Sequence, residues 1–156
     1  MAIYSKQHIK IICLLTIVAW VASCTKEDGI TPNWPSKAEL PGSGRETAVA
    51  FSIGSKAYLG TGFNGSYLKD FWEYDPATNA WTQKTDFGGT ARYGATGFSI
   101  GTTGYIGLGY DGLAYKNDMW EYNPSNNKWG QKIIPMPVPR KNAVVFVIGS
   151  KAYIGT

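Results

Sequence analysis

Residues 69–84, K-D-F-W-E-Y-D-P-A-T-N-A-W-T-Q-K, return at 117–132 as N-D-M-W-E-Y-N-P-S-N-N-K-W-G-Q-K. Trp72 falls on Trp120, Tyr74 on Tyr122, Pro76 on Pro124, Trp81 on Trp129 and Lys84 on Lys132, always 48 apart. A fixed period of this length marks stacked or radial units, each too small to bury its own apolar face.

Working outward, one unit opens at Arg45, a second at Arg92 and a third at Arg140. Each begins with small and apolar residues: A-V-A-F-S-I from Ala48, A-T-G-F-S-I from Ala95, A-V-V-F-V-I from Ala143. Runs of that length closed by Gly predict buried strands. Gly54-Ser55, Gly101-Thr102 and Gly149-Ser150 suit tight hairpins, where a leading Gly supplies φ > 0. Second strands follow with Tyr58, Tyr105 and Tyr153. After a loop comes D-F-W-E-Y-D or D-M-W-E-Y-N, in which alternation places Trp72 with Tyr74, and Trp120 with Tyr122, on one face. Asp75-Pro76 and Asn123-Pro124 start hairpins, because Pro fixes φ and the Asx side chain caps its own backbone. The fourth strand carries Trp81 or Trp129. Each unit therefore reads as a four-stranded antiparallel meander, and the chain as all-β.

This pattern resembles the Kelch repeat, whose units are blades of a β-propeller. The apolar first strand, the Tyr-Leu-Gly or Tyr-Ile-Gly second strand, Tyr-Asp-Pro or Tyr-Asn-Pro, the Asn before the last strand and the Trp all match. One departure is that the usual double Gly is split, as Gly60-Thr61-Gly62 and Gly107-Leu108-Gly109. The resemblance covers 34–156 and implies a Kelch-type propeller with blades at 45–84 and 92–132 and a half blade at 140–156. Trp34 precedes Arg45 by the 11 residues that separate Trp81 from Arg92 and Trp129 from Arg140. Residues 34–39 thus read as an outer strand without its three partners, and the ring as incomplete. A piece of a longer protein is the favoured expectation; assembly with copies of itself is the alternative.

The N-terminal segment addresses the chain. Lys6 and Lys10 precede an apolar run from Ile11 to Val21, too short for a spanning helix, which needs about 20 residues. With small residues ahead of a cut site, 1–23 reads as a secretory signal, the alternative being a short anchor helix. Val21-Ala22-Ser23-Cys24 resembles the lipobox of bacterial lipoproteins, which implies lipidation of Cys24 and membrane attachment. Several acyl chains, at about 0.8 kcal/mol per buried methylene, anchor stably where one does not. Lys26, Glu27 and Asp28 look like the lysine-plus-acid export signal for the outer face of the Gram-negative outer membrane; a solvated linker, and with it the periplasmic face, is the alternative. Residues 24–33 are a tether.

Composition narrows the functions. Beyond the leader, 13 basic residues stand against 11 acidic ones, a net of +2 that gives no electrostatic case for nucleic acid. The cysteines are Cys13 and Cys24 and the one histidine is His8. After Cys24 the chain offers no disulfide, no Cys/His zinc site and no His-activated nucleophile. No metal or cofactor is expected, and Asp111, Asn117 and Asp118 lack calcium-loop spacing.

Three groups are candidate sites. Trp72, Tyr74, Trp81, Trp120, Tyr122 and Trp129, with Trp34, read as a sugar platform or as blade packing, and their regularity favours packing. Arg45, Arg92 and Arg140 either line an anion pocket near the axis or pair with Glu73 and Glu121 or cap loops, the pairing or capping being favoured. The loops between second and third strands differ most between units, and variable loops on a rigid frame are where binding concentrates. Asn64, Tyr67, Tyr110, Asp111 and Tyr115 there suit carbohydrate or protein contact, although plain solvated loops are the simpler reading. The expected function is a lipid-anchored, non-enzymatic surface binding module. The alternative is a Kelch-like carbohydrate-active enzyme, similar to sialic acid mutarotases or galactose oxidases, with its active site in blades outside this sequence; a structural part of a surface complex is a third.

Overall fold

The computed structural model describes residues 35–133 and 138–155. The signal segment, Cys24, Lys26, Glu27, Asp28 and Trp34 lie outside them. The chain separates into units 1–36 and 37–156, and the fold described is that of the second.

Among the described residues, ten five-residue strands form three sheets. The first has β1 (Val49–Ile53), β2 (Lys56–Gly60), β3 (Phe71–Asp75) and β4 (Ala80–Lys84) in chain order. The second repeats it with β5 (Thr96–Ile100), β6 (Thr103–Gly107), β7 (Met119–Asn123) and β8 (Lys128–Lys132). The third holds β9 (Val144–Ile148) and β10 (Lys151–Gly155). All described pairings are antiparallel, and Phe51↔Tyr58↔Glu73 in the first sheet matches Phe98↔Tyr105↔Glu121 in the second.

The turn chemistry acts as its residues dictate. Gly54, Gly101 and Gly149 take φ of 58°, 58° and 59° in the β1–β2, β5–β6 and β9–β10 hairpins. Asp75 Oδ1 accepts from Ala77 N at 2.9 Å and Asn123 Oδ1 from Ser125 N at 2.9 Å. Each hairpin then exits through an Asn at φ near +50°, Asn79 at 51° and Asn127 at 54°, a conformation that Asn tolerates better than other non-Gly residues.

Residues 35–40 form no strand, because no third strand lies beside them among the described residues. Their connection is still that of a repeat. Ala38 N donates to Asn79 Oδ1 and Trp81 Nε1 donates to Ala38 O, both at 2.9 Å. Thr85 N donates in the same way to Asn127 Oδ1 at 3.0 Å, and Trp129 Nε1 to Thr85 O at 3.2 Å. Ala38 thus stands to the first sheet as Thr85 stands to the second.

The first strands of successive sheets face one another, β1 with β5 and β5 with β9, as blades around a shared axis must. The core lies between blades. Val49, Ile53, Tyr58 and Phe71 of the first sheet pack with Phe87, Ile106 and Tyr122. The Phe71 ring meets Tyr122 at 4.8 Å and Trp129 at 4.9 Å, both edge-on. Burying such a side chain contributes about 1.5–3 kcal/mol. Val144, Phe146 and Ile148 occupy on β9 the places of Val49, Phe51 and Ile53 on β1. They are more than half exposed, since no further sheet covers them among the described residues.

Glycine permits this approach. A Cβ on Gly97 would stand 2.0 Å from Val49 Cγ1, and one on Gly104 would stand 2.4 Å from Phe51 Cε2. Substituting Gly97→Val should therefore lower stability by roughly 2 kcal/mol through overpacking. Ala50→Val, at the exposed counterpart in the first sheet, should change it by less than about 0.5 kcal/mol. Urea midpoints of the two variants check the contrast.

Candidate functional site

The end of the blades where β2–β3 and β6–β7 cross is organised by a repeated clamp. Arg45 Nη1 and Nη2 donate to the two carboxylate oxygens of Asp70, each at 2.6 Å, and Trp72 Nε1 donates to Asp70 Oδ2 at 2.7 Å. Arg92 grips Asp118 likewise, at 2.5 and 2.9 Å, with Trp120 Nε1 on Asp118 Oδ2 at 2.9 Å. A second donor role fixes the turn after the second strand. Arg45 Nη1 reaches Thr61 O at 3.2 Å, and Arg92 Nη1 reaches Leu108 O at 2.9 Å.

Thr61 and Leu108 are the residues that split the double glycine. They take φ of 57° and 59° and are fully buried. The departure from the repeat is thus a left-handed turn whose carbonyl the arginine holds.

The expected partners of the arginines are corrected here. Glu73 and Glu121 sit mid-strand, across from Tyr58 and Tyr105. Glu73 accepts from Tyr58 Oη at 2.6 Å and lies 3.7 Å from Lys84. Glu121 pairs with Lys132 at 2.8 Å. Asp70 and Asp118, one residue ahead of β3 and β7, stand beside the blade entrance and capture the guanidiniums instead. With Arg92 only 1 % exposed and fork-bonded to a carboxylate, neither arginine is an anion pocket. Arg140 Nε donates to Val138 O, as Arg92 Nε donates to Thr90 O.

Above the clamps, the β2–β3 loop (residues 61–70) and the β6–β7 loop (residues 108–118) fold by the same scheme. Glu46 bridges to Phe63 and Phe63 to Tyr67, while Tyr93 bridges to Tyr110 and Tyr110 to Tyr115. The rings then join across the blades. Phe63 meets Tyr67 at 5.2 Å, Tyr67 meets Tyr93 at 5.8 Å, Tyr93 meets Tyr110 at 6.0 Å and Tyr110 meets Tyr115 at 5.1 Å. Five rings form one partly exposed aromatic face, with Tyr115 half exposed at its end. Lys141, from the third unit, lies over Tyr93 at 4.4 Å from the ring centre and donates to its hydroxyl.

Of the residues singled out in sequence, Tyr67, Tyr110 and Tyr115 come together here. Asn64 and Asp111 form their own loops instead. Asn64 Oδ1 accepts from Ser66 N at 3.2 Å. Asp111 Oδ1 accepts from Leu113 N at 3.1 Å and Ala114 N at 2.9 Å, and Lys116 pairs with Oδ2 at 2.5 Å. The Lys116 ammonium and these amides hold the Asp111 carboxyl well below the usual range despite its burial. Trp120, Tyr122 and Trp129 pack against Phe71 and Phe87 between blades. Trp72, Tyr74 and Trp81 form the same face of the first sheet, partly exposed.

Tyr93 and Lys141 were not candidates in sequence. Both follow the repeated arginine directly and alternate with Glu46 at that place, and this failure to repeat was the available signal.

Four-stranded antiparallel sheets, stacked through their first strands and repeating one clamp, define a partial Kelch-type β-propeller. Residues 52–88 match the family model described as Kelch motif. The solved structure titled "Structure of YjhT" is similar, with a TM-score of 0.69 and 17% identity over 78% of this chain and 46% of that one. The chain therefore spans a little under half of that protein's length. In all 119 solved chains match, a breadth that identifies architecture and not a task. No curated protein matches the chain.

The clamps make stability depend on acid. Burial works against the Asp118 carboxylate, but Arg92 and Trp120 outweigh it and hold its pKa below the ordinary 3.8; Asp70 behaves alike with Arg45 and Trp72. A carboxyl with a folded pKa below its unfolded one stabilises above the unfolded value, and this is lost as pH falls through the folded one. Urea midpoints should therefore drop below about pH 4, and less steeply in Asp118→Asn. At pH 7 that variant should lose roughly 3 kcal/mol, because it strands a buried guanidinium.

Proposed function

We propose that this protein is a lipid-anchored, non-enzymatic binding module that presents its loop face to carbohydrate or protein at the outer surface of the cell. The observation carrying this reading is the continuous face of Phe63, Tyr67, Tyr93, Tyr110 and Tyr115, drawn from three separate segments. A tyrosine offers an apolar plane and a polar tip, and it loses little conformational entropy on contact. The rings stand on loops pinned by the clamps, so the surface is formed before a ligand arrives, which lowers the ordering cost of binding. The leader at 1–23, Cys24 directly after it and the Lys26-Glu27-Asp28 run support the address.

Three experiments test the reading. Tyr67→Ala and Tyr115→Ala, measured on a glycan array and in capture from surface extracts, should each weaken binding about tenfold, equivalent to about 1.4 kcal/mol; unchanged binding overturns the assignment of the face. Cys24→Ser should move the chain from the membrane to the soluble fraction. External protease should remove the mature chain from intact cells; survival of the chain would place it on the periplasmic face.

A further inference from the structure

We infer that the loop face takes an anionic glycan, with Lys141 as the residue that receives its carboxylate or sulfate and the tyrosines as the surface on which its sugar rings lie. The inference rests on the reading of this face as a binding surface, and it starts from a comparison of the three units. At repeated positions the residue is the same or a near substitute: Arg45, Arg92 and Arg140; Phe51, Phe98 and Phe146; Tyr58, Tyr105 and Tyr153. Those side chains serve the blade. The position directly after the arginine holds Glu46, Tyr93 and Lys141, an acid, an aromatic and a base on equivalent backbone.

The backbone there is held by main-chain bonds between units. Gly94 N donates to Thr47 O at 3.2 Å and Asn142 N to Gly94 O at 2.7 Å. Thr47, Gly94 and Asn142 all take a left-handed φ, of 52°, 61° and 58°. For a β-branched Thr this conformation is strained, and such strain concentrates where a loop must hold one shape. Blade packing therefore fixes where side chains 46, 93 and 141 stand and leaves their chemistry to be set by what meets this surface.

Lys141 differs from the other lysines without a carboxylate partner among the described residues, Lys37, Lys128 and Lys151, in being partly buried rather than exposed. Lys56, Lys69, Lys84, Lys116 and Lys132 each lie within 4 Å of a carboxylate. The Lys141 ammonium is held by the Tyr93 hydroxyl at the rim of that ring. The hydrogen bond to Tyr93 raises its pKa, so it is charged at neutral pH. An ammonium already oriented by aromatic groups, with donors to spare, is a ready partner for an anion. The adjoining tyrosines, tilted against one another by 32° to 81°, favour a sugar chain over an acidic peptide, because each partly exposed ring pairs an apolar surface with a hydroxyl as a pyranose does.

The test uses the full chain in detergent, with tetragalacturonate, its fully methyl-esterified form and a glutamate octapeptide as probes in calorimetric titrations. The acid should bind at least tenfold more tightly than the ester, and the gap should narrow at high salt. Lys141→Met should weaken binding of the acid about tenfold and leave the ester unchanged, while Lys141→Arg should retain most of the affinity. Tyr115→Ala should weaken both glycans. If Lys141→Met binds the acid as the wild type does, the anion assignment falls, while a loss in Tyr115→Ala keeps the face as a binding surface. If neither substitution matters, both readings fall. Tighter binding of the octapeptide, or no binding of the tetragalacturonate, overturns the glycan class.

Discussion

Each complete blade depends on one buried ion pair. The fork of Arg92 on Asp118 joins the residue that opens the blade to the residue that opens its third strand, and it also holds the carbonyl of the left-handed turn between them. Without that guanidinium two groups would lose a partner: the Asp118 carboxylate and the Leu108 carbonyl. A buried charge pair is a poor source of net stability and a strong source of specificity when every lone pair is used. Here it sets where the loop above it begins and ends. Arg45 and Asp70 do the same one blade earlier, so both loops start from the same platform.

Much of the fold was legible because its determinants are local. The Asx-Pro turns, the hairpin glycines and the alternation of Trp and Tyr each act within a few residues, and the 48-residue recurrence shows that the same local solution is used twice. The Arg–Asp clamp was harder to read, since 25 or 26 residues separate its partners and two acids per unit compete for the arginine. Glu73 and Glu121 have the regular spacing that attracts attention. Asp70 and Asp118 have the position, and position is a property of the folded blade. Residues 35–39 show the limit of analogy: the sequence matches a fourth strand, yet strand geometry needs a neighbour, and what persists is the side-chain latch at Ala38.

The candidate face was legible only in part for the same reason. Tyr67, Tyr110 and Tyr115 stand in loops that differ between units, and that difference can be seen in one dimension. Tyr93 and Lys141 sit in what reads as the start of a strand, where a core role is the default. They join the loops because consecutive blades are tied edge to edge through Thr47, Gly94 and Asn142. Asn64 and Asp111 moved the other way, from ligand candidates to braces of their own turns.

The latch between blades has a mechanical side. The main chain leading into the first sheet is pinned at Ala38 by an amide and an indole that belong to the outermost hairpin, Asn79 and Trp81, and the chain leading into the second is pinned at Thr85 by Asn127 and Trp129. Tension on the preceding segment would reach the rim of the blade before it reached any inner strand. The load would fall on β4, an edge strand paired only with β3, and leave the clamps and the aromatic face unstrained. A protein tugged from its amino end would thus yield first at its periphery.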